Sequence, residues 1–150
     1  MQNSSYLESR VLTAPPHRLH LMLIEGAIRF GRQAEEALKA GNQVGAAMPL
    51  LRAMDIVGEL LVGVREKTSE LNKKLSDFYL YVFRRVSEAK IKADPAALAE
   101  VLQLLDYERQ TWQMVCDKLG GEAAATSAPH SAAFGSGYKQ AATSGISFQA

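Results

Sequence analysis

Few side chains in this sequence could do chemistry. The histidines His17, His20 and His130 and the single cysteine Cys116 are the available nitrogen and sulfur ligands. His17 and His20 stand three apart and share a face if that stretch is helical. A metal site needs more than two ligands, and Cys116 falls at the far end of another predicted helix. The two histidines therefore read as ordinary first-turn residues. A di-iron centre in a helical bundle requires Glu-x-x-His on facing helices, and no glutamate here has a histidine three residues later. The sequence holds neither a Walker-type phosphate loop nor a Gly-x-Ser-x-Gly elbow. Cys116 shares a face with Trp112 and Leu119, so it reads as a small buried apolar residue rather than a nucleophile. The expectation is a protein that is not an enzyme and holds no metal or cofactor.

Composition narrows the class further. A chain of 150 residues, 47% apolar and 22% charged, suits one globular domain that buries its own core. Its 17 basic and 16 acidic residues leave a formal charge of +1, a balance that argues against nucleic acid as the main partner. The pairs Lys73-Lys74 and Arg84-Arg85 read as solvated helix faces. One cysteine allows no internal disulfide and fits a reducing compartment. Met1 to Arg10 lacks the apolar core of a secretory signal. The densest apolar stretch, Leu19 to Ile28, is broken by His20, Glu25 and Gly26 and is too short to span a bilayer. These features predict a cytoplasmic protein without membrane insertion.

The elements that must position any site are helices. After a leader over residues 1–15, Pro15-Pro16 predicts a helix start, because proline is tolerated in the first turn. Helix one is expected from Pro16 to Ala40, with Leu19, Leu23, Ala27, Phe30, Ala34 and Leu38 on one face. Gly41-Asn42 ends it and caps the next. Helix two is expected from Gln43 to Glu66, with Pro49 either kinking it or marking its true start. Thr68 or Ser69 caps helix three, which reaches Lys92 on a face of Leu71, Leu75, Phe78, Val82, Val86 and Ala89. Asp94-Pro95 opens helix four, with Leu98, Val101, Leu102, Leu105, Trp112, Cys116 and Leu119, and Gly120-Gly121 stops it. Residues 122–150 are rich in Ala, Ser, Gly and Thr and nearly uncharged, which predicts a disordered tail. No alternating run predicts a strand. The fold class is all-α: an antiparallel four-helix bundle over residues 16–121, with an N-terminal leader and a C-terminal tail.

The helices carry more apolar residues than one core needs. Helix one has a second set, Leu21, Ile24 and Ile28, lying well round the cylinder from Leu23 and Phe30. The polar side of helix two is a narrow strip of Arg52, Asp55, Glu59 and Glu66; Ile56 and Leu60 flank one edge of its apolar arc, Leu51 and Val62 the other. Helix three adds Tyr79 and Phe83, four apart, at the edge of its core face, and helix four places Tyr107 opposite Leu98 and Trp112. Such a surplus fits either a groove for a partner's amphipathic helix or the seam of a homodimer, and periodicity alone does not choose between them. Leu21, Ile24, Ile28, Ile56, Leu60, Tyr79 and Phe83 are the candidate contacts.

The sequence resembles the FliS family of flagellar secretion chaperones. The resemblance is carried by Tyr6, Val11, Thr13-Ala14-Pro15-Pro16 and Leu19; by the stretch from Leu21 to Phe30 with its Glu25-Gly26-Ala27-Ile28; by Arg52-Ala53-Met54-Asp55-Ile56 with Glu59-Leu60; by Phe78-Tyr79, Tyr81, Arg84-Arg85 and Ala89; and by Trp112. It covers residues 6–116. Pro15 stands in place of the usual serine cap, and Lys90 where asparagine is common. The resemblance implies a cytoplasmic chaperone that binds the disordered C-terminal segment of flagellin, blocks premature polymerisation and delivers the client to the flagellar export apparatus, with no cofactor. It also implies that the leader folds over the empty groove, with Tyr6 and Leu7 as plugs. The rival expectation is a self-associating structural or signalling bundle whose surplus stripes form a dimer seam.

Overall fold

The computed structural model describes residues 14–127, with side chains through residue 120. Four helices follow one another: α1 (Pro16–Lys39), α2 (Gln43–Arg65), α3 (Glu70–Lys92) and α4 (Pro95–Ser127), with no strand among the described residues. The architecture is an all-α four-helix bundle. The expected leader plugs, Tyr6 and Leu7, lie outside the described residues, as does the tail beyond residue 127.

Local chemistry sets the boundaries. Pro16 occupies the first turn of α1, and the Leu19 N–H donates to the Pro15 carbonyl at 2.9 Å. Gly41 takes φ 73°, a left-handed conformation that costs glycine little, and the Asn42 N–H then reaches back to the Ala37 carbonyl at 2.8 Å. The Asn42 side chain accepts from the Gly45 N–H at 2.9 Å and so opens α2. Pro49 lies inside α2, whose assignment begins before it at Gln43. Of the two candidate caps for α3, Ser69 is used: its hydroxyl oxygen accepts from the Asn72 N–H at 3.0 Å. Asn72 is buried, and its side-chain amide donates to the Val64 carbonyl at 2.8 Å, tying the end of α2 to the start of α3. Ala93 ends α3 in the left-handed region (φ 51°), and the Asp94 carboxylate accepts from the Ala96 N–H at 2.9 Å to start α4.

One boundary differs from expectation. α4 does not stop at Gly120-Gly121 but continues to Ser127. Glycine inside a helix costs about 1 kcal/mol relative to alanine, and the alanine-rich sequence that follows favours continuation.

The principal packing pairs are α1 with α2, α1 with α4, α2 with α3, and α3 with α4, so the helices form a ring with α1 diagonal to α3 and α2 diagonal to α4. The core runs through Ile24, Ala27, Leu50, Val57, Leu60, Val82, Val86, Leu98, Val101, Leu105 and Cys116. Close approaches need glycine at two points of α1. A Cβ on Gly26 would sit 3.3 Å from Ile56 Cδ1 of α2, and one on Gly31 would sit 2.8 Å from Leu102 Cδ2 of α4. No helix among the described residues is long and apolar enough to cross a membrane.

Candidate functional site

The outer face of α2 carries large apolar residues that no other described helix covers. Val44, Met48 and Leu51 follow the i, i+4, i+7 spacing of one helical face, and Val62 returns to it further along. Their exposures are 88%, 59%, 42% and 61%. Asp55 is the exposed charge between them. Toward α3 the stripe continues through half-buried Met54 to Gly58, where the Phe83 ring of α3 lies 4.0 Å from the place a Cβ would take. Leu80 is half-buried on the same edge of α3. Ile91, near the end of α3, is 77% exposed. Exposed apolar patches of this kind are the type of surface on which protein partners dock. Its rim is polar: Arg52 and Glu59 on one side, Arg84 on the other, all exposed.

The sequence candidates separate into two groups. Ile56 and Phe83 are half-buried at the two edges of α2, the first seated against Gly26 of α1 and the second against Gly58. Leu21, Ile24, Ile28, Leu60 and Tyr79 are interior, none more than 6% exposed. The expectation of an uncovered second stripe on α1 is therefore corrected. Leu21, Ile24 and Ile28 are buried together with Ala27 and Ala34 of the expected core face, while Leu23, Phe30 and Leu38 of that face are only half-buried. The reason is geometric: α1 has neighbours on two sides, α2 and α4, and both of its stripes are covered. Val44 and Met48, both well exposed on α2, were not among the candidates. Their spacing from Leu51 is the signal that points to them.

A polar network that periodicity did not reveal ties three helices together inside the core. His20 of α1 is fully buried rather than an ordinary first-turn residue. Its Nε2 lies 2.6 Å from the Tyr79 hydroxyl of α3, across the diagonal of the bundle. That hydroxyl donates to Glu108 Oε2 of α4 at 3.0 Å, and the Trp112 indole N–H donates to the same oxygen at 2.9 Å. The tyrosine has one proton and gives it to Glu108, so the His20 Nε2–H must be the donor to the tyrosine oxygen. The imidazole is then neutral, in agreement with burial pushing its pKa down to about 3. Burial raises the Glu108 carboxyl, against the two hydrogen bonds that pull it down. Burial also raises Tyr79, reinforced by the neighbouring Glu108 charge. The His20 ring also packs on Trp112, centroids 4.1 Å apart. Each proton is held in a closed set of partners that fixes the register of α1, α3 and α4. Burial raises the Cys116 thiol, which donates to the His17 carbonyl at 3.5 Å. Among the described residues no group of three metal-ligating side chains occurs.

On the outside, Arg85 bridges α3 to α4. Its Nη2 donates to Glu100 Oε2 at 2.7 Å and its Nη1 to Glu88 at 2.6 Å, while the Tyr81 hydroxyl donates to the other Glu100 oxygen.

Comparison with known proteins agrees with this geometry. The family described as flagellar protein FliS matches residues 1–119. The chain is 33% identical over 114 residues to the flagellar secretion chaperone FliS of Salmonella typhimurium, covering 75% of this chain and 84% of that protein. It is 32% identical over 110 residues to the flagellar secretion chaperone FliS of Bacillus subtilis, covering 73% and 82%. Against the protein of the same name from Escherichia coli K12 it is 29% identical over 109 residues, covering 71% and 80%.

Proposed function

Because the chain belongs to the FliS family of flagellar proteins, we propose that it is a cytoplasmic export chaperone that binds the disordered C-terminal segment of flagellin, keeps it from polymerising and delivers it to the flagellar export apparatus. The observation that carries this reading is the uncovered apolar stripe of α2, Val44, Met48, Leu51 and Val62, beside Phe83. A client segment that forms an amphipathic helix buries its own apolar face on this stripe. That face is then unavailable for pairing with other copies of the client. Ordering a disordered client costs about 2–5 kcal/mol or more, so the contact must be long, and the stripe spans most of α2. Ile56 and Phe83 form its edges. Leu21, Ile24, Ile28, Leu60 and Tyr79 contribute from behind, as the packed wall that keeps those edges in place. Tyr6 and Leu7 of the leader cover the stripe when no client is bound.

Calorimetric titration of the full chain with a flagellin C-terminal segment tests the proposal. Saturable 1:1 binding that Val62→Asp weakens at least about tenfold supports it. Absence of binding, together with light scattering that shows an obligate dimer, replaces it with the self-associating bundle.

A further inference from the structure

The opposite side of the ring from the α2–α3 stripe is the seam between α1 and α4, and it has a different character. A groove of about 440 Å³ opens there, lined by Glu25, Ile28, Arg29, Arg32 and Gln33 of α1 and by Asp106 and Arg109 of α4. Gly31 lets Leu102 of α4 come close to α1, and the groove takes Arg29 and Arg32 from α1 and Arg109 from α4. Arg109 donates through Nε to Asp106 Oδ1 at 2.9 Å, and Gln110 donates to the second oxygen of Asp106 at 2.9 Å. Each Asp106 oxygen thereby holds one donor, and the carboxylate orients Arg109 through Nε, leaving its two Nη groups for another acceptor. Neither Arg29 nor Arg32 has a carboxylate within 4.0 Å among the described residues, although both are exposed on the groove. Three guanidinium groups thus line one groove with two carboxylates, Glu25 and Asp106, of which Asp106 is paired with Arg109 and also lowered by the charge of Arg32.

We propose that the α1–α4 groove docks an acidic segment of a second protein, whose carboxylates pair with Arg29, Arg32 and Arg109 while the client occupies the α2–α3 side. The lining favours discrete carboxylates over a continuous phosphate chain. Glu25 and Asp106 would repel the nearby phosphates of a nucleic-acid backbone, whereas separate carboxylates can avoid them. The Gln33 amide suits peptide groups, and the edge of Ile28 offers a small apolar floor. The simultaneous-occupancy part of this proposal rests on the client reading above; the groove itself does not.

The test uses the full chain and a fluorescein-labelled peptide of about twelve residues with glutamates at i and i+4 spacing. Its isosteric glutamine version is the control, and anisotropy is read at several salt concentrations. The acidic peptide is expected to bind, and Arg29→Ala with Arg32→Ala to weaken it at least about tenfold and flatten its salt dependence. Lys74→Ala, exposed on α3, is expected to leave binding unchanged. The proposal fails if the glutamine peptide binds equally well, if the double variant binds the acidic peptide as the parent does, or if a single-stranded RNA of the same length binds more tightly through the same arginines. Circular dichroism confirms that the variants fold; Arg29→Gln and Arg32→Gln singly replace the double variant if it does not. A saturating flagellin segment is expected to leave peptide affinity within about twofold, since the two seams do not share a helix. Displacement of the peptide overturns separate docking. If the flagellin segment does not bind at all, the client reading falls while the peptide arms still decide the groove.

Discussion

α1 and α2 carry the same signal in sequence, apolar residues at helical spacing on more than one side, yet the bundle treats them in opposite ways. On α1 the extra set, Leu21, Ile24 and Ile28, is closed over by α2 and α4. On α2 the extra set, Val44, Met48, Leu51 and Val62, faces outward with no other described helix over it. α2 also packs on two helices, but its apolar residues run nearly all round the cylinder, and two neighbours cover only part of that. Surplus apolarity thus becomes core where a neighbour exists and interface where none does.

The sharpest way to break this contrast is to place the same charge two residues apart on α2. Leu60→Asp puts a carboxylate where no water reaches, and loss of the cooperative thermal transition is expected, a penalty of about 4 kcal/mol or more. Val62→Asp is expected to keep the helical circular dichroism and to move stability by no more than about 0.5 kcal/mol while weakening client binding. Equal unfolding in both variants would mean that the outer face of α2 is covered after all.

A truncation pair measures the same difference more gently. Ile24→Ala in the core of α1 is expected to lower unfolding free energy by about 2–4 kcal/mol in urea, and Met48→Ala by less than about 0.5 kcal/mol. The buried network supplies a third measure. Tyr79→Phe leaves the His20 Nε2–H without its acceptor and Glu108 with one donor fewer, an expected loss of about 1–3 kcal/mol with no change at the α2 stripe.

The pH profile is the finest of these measures. His20 has a folded-state pKa of about 3 against 6.5 when exposed, so between those values the unfolded chain binds a proton that the folded chain refuses. Stability is fully present above pH 6.5 and falls toward pH 3, with a limiting slope of about 1.4 kcal/mol per pH unit from this group. His17, also lowered by burial, adds in the same direction. Glu108 acts oppositely: its raised pKa means the folded chain takes up that proton first, which offsets part of the loss as pH falls through its folded value. Denaturant titrations from pH 8 to pH 4 should show the decline, and His20→Gln should remove most of it. A profile unchanged by His20→Gln would show that the imidazole is solvated.

Helix boundaries were legible because each rests on a few neighbouring residues: Pro15-Pro16, Gly41-Asn42, Ser69 and Asp94-Pro95 all act where local chemistry indicates. The end of α4 was not, because two glycines weaken a helix without forbidding it. The α2 edges at Ile56 and Phe83 were legible as apolar excess. Which excess is covered was not, since that depends on how many helices flank each face, a property of the assembled ring. His20 was misread for a related reason: its partner Tyr79 lies 59 positions away and Glu108 a further 29, and no local pattern links them.

Trp112 is the chain's single tryptophan, and its indole sits against the His20 ring with its N–H on Glu108. Its fluorescence is therefore an internal gauge of the bundle's closure, read at a point remote from the α2 stripe. A client that docks on a rigid bundle leaves the emission maximum in place. A client that pries the helices apart lets water reach the indole and shifts the emission to the red. Protonation of the neighbouring imidazole quenches the emission, so one optical signal separates docking, opening and acid titration without any label.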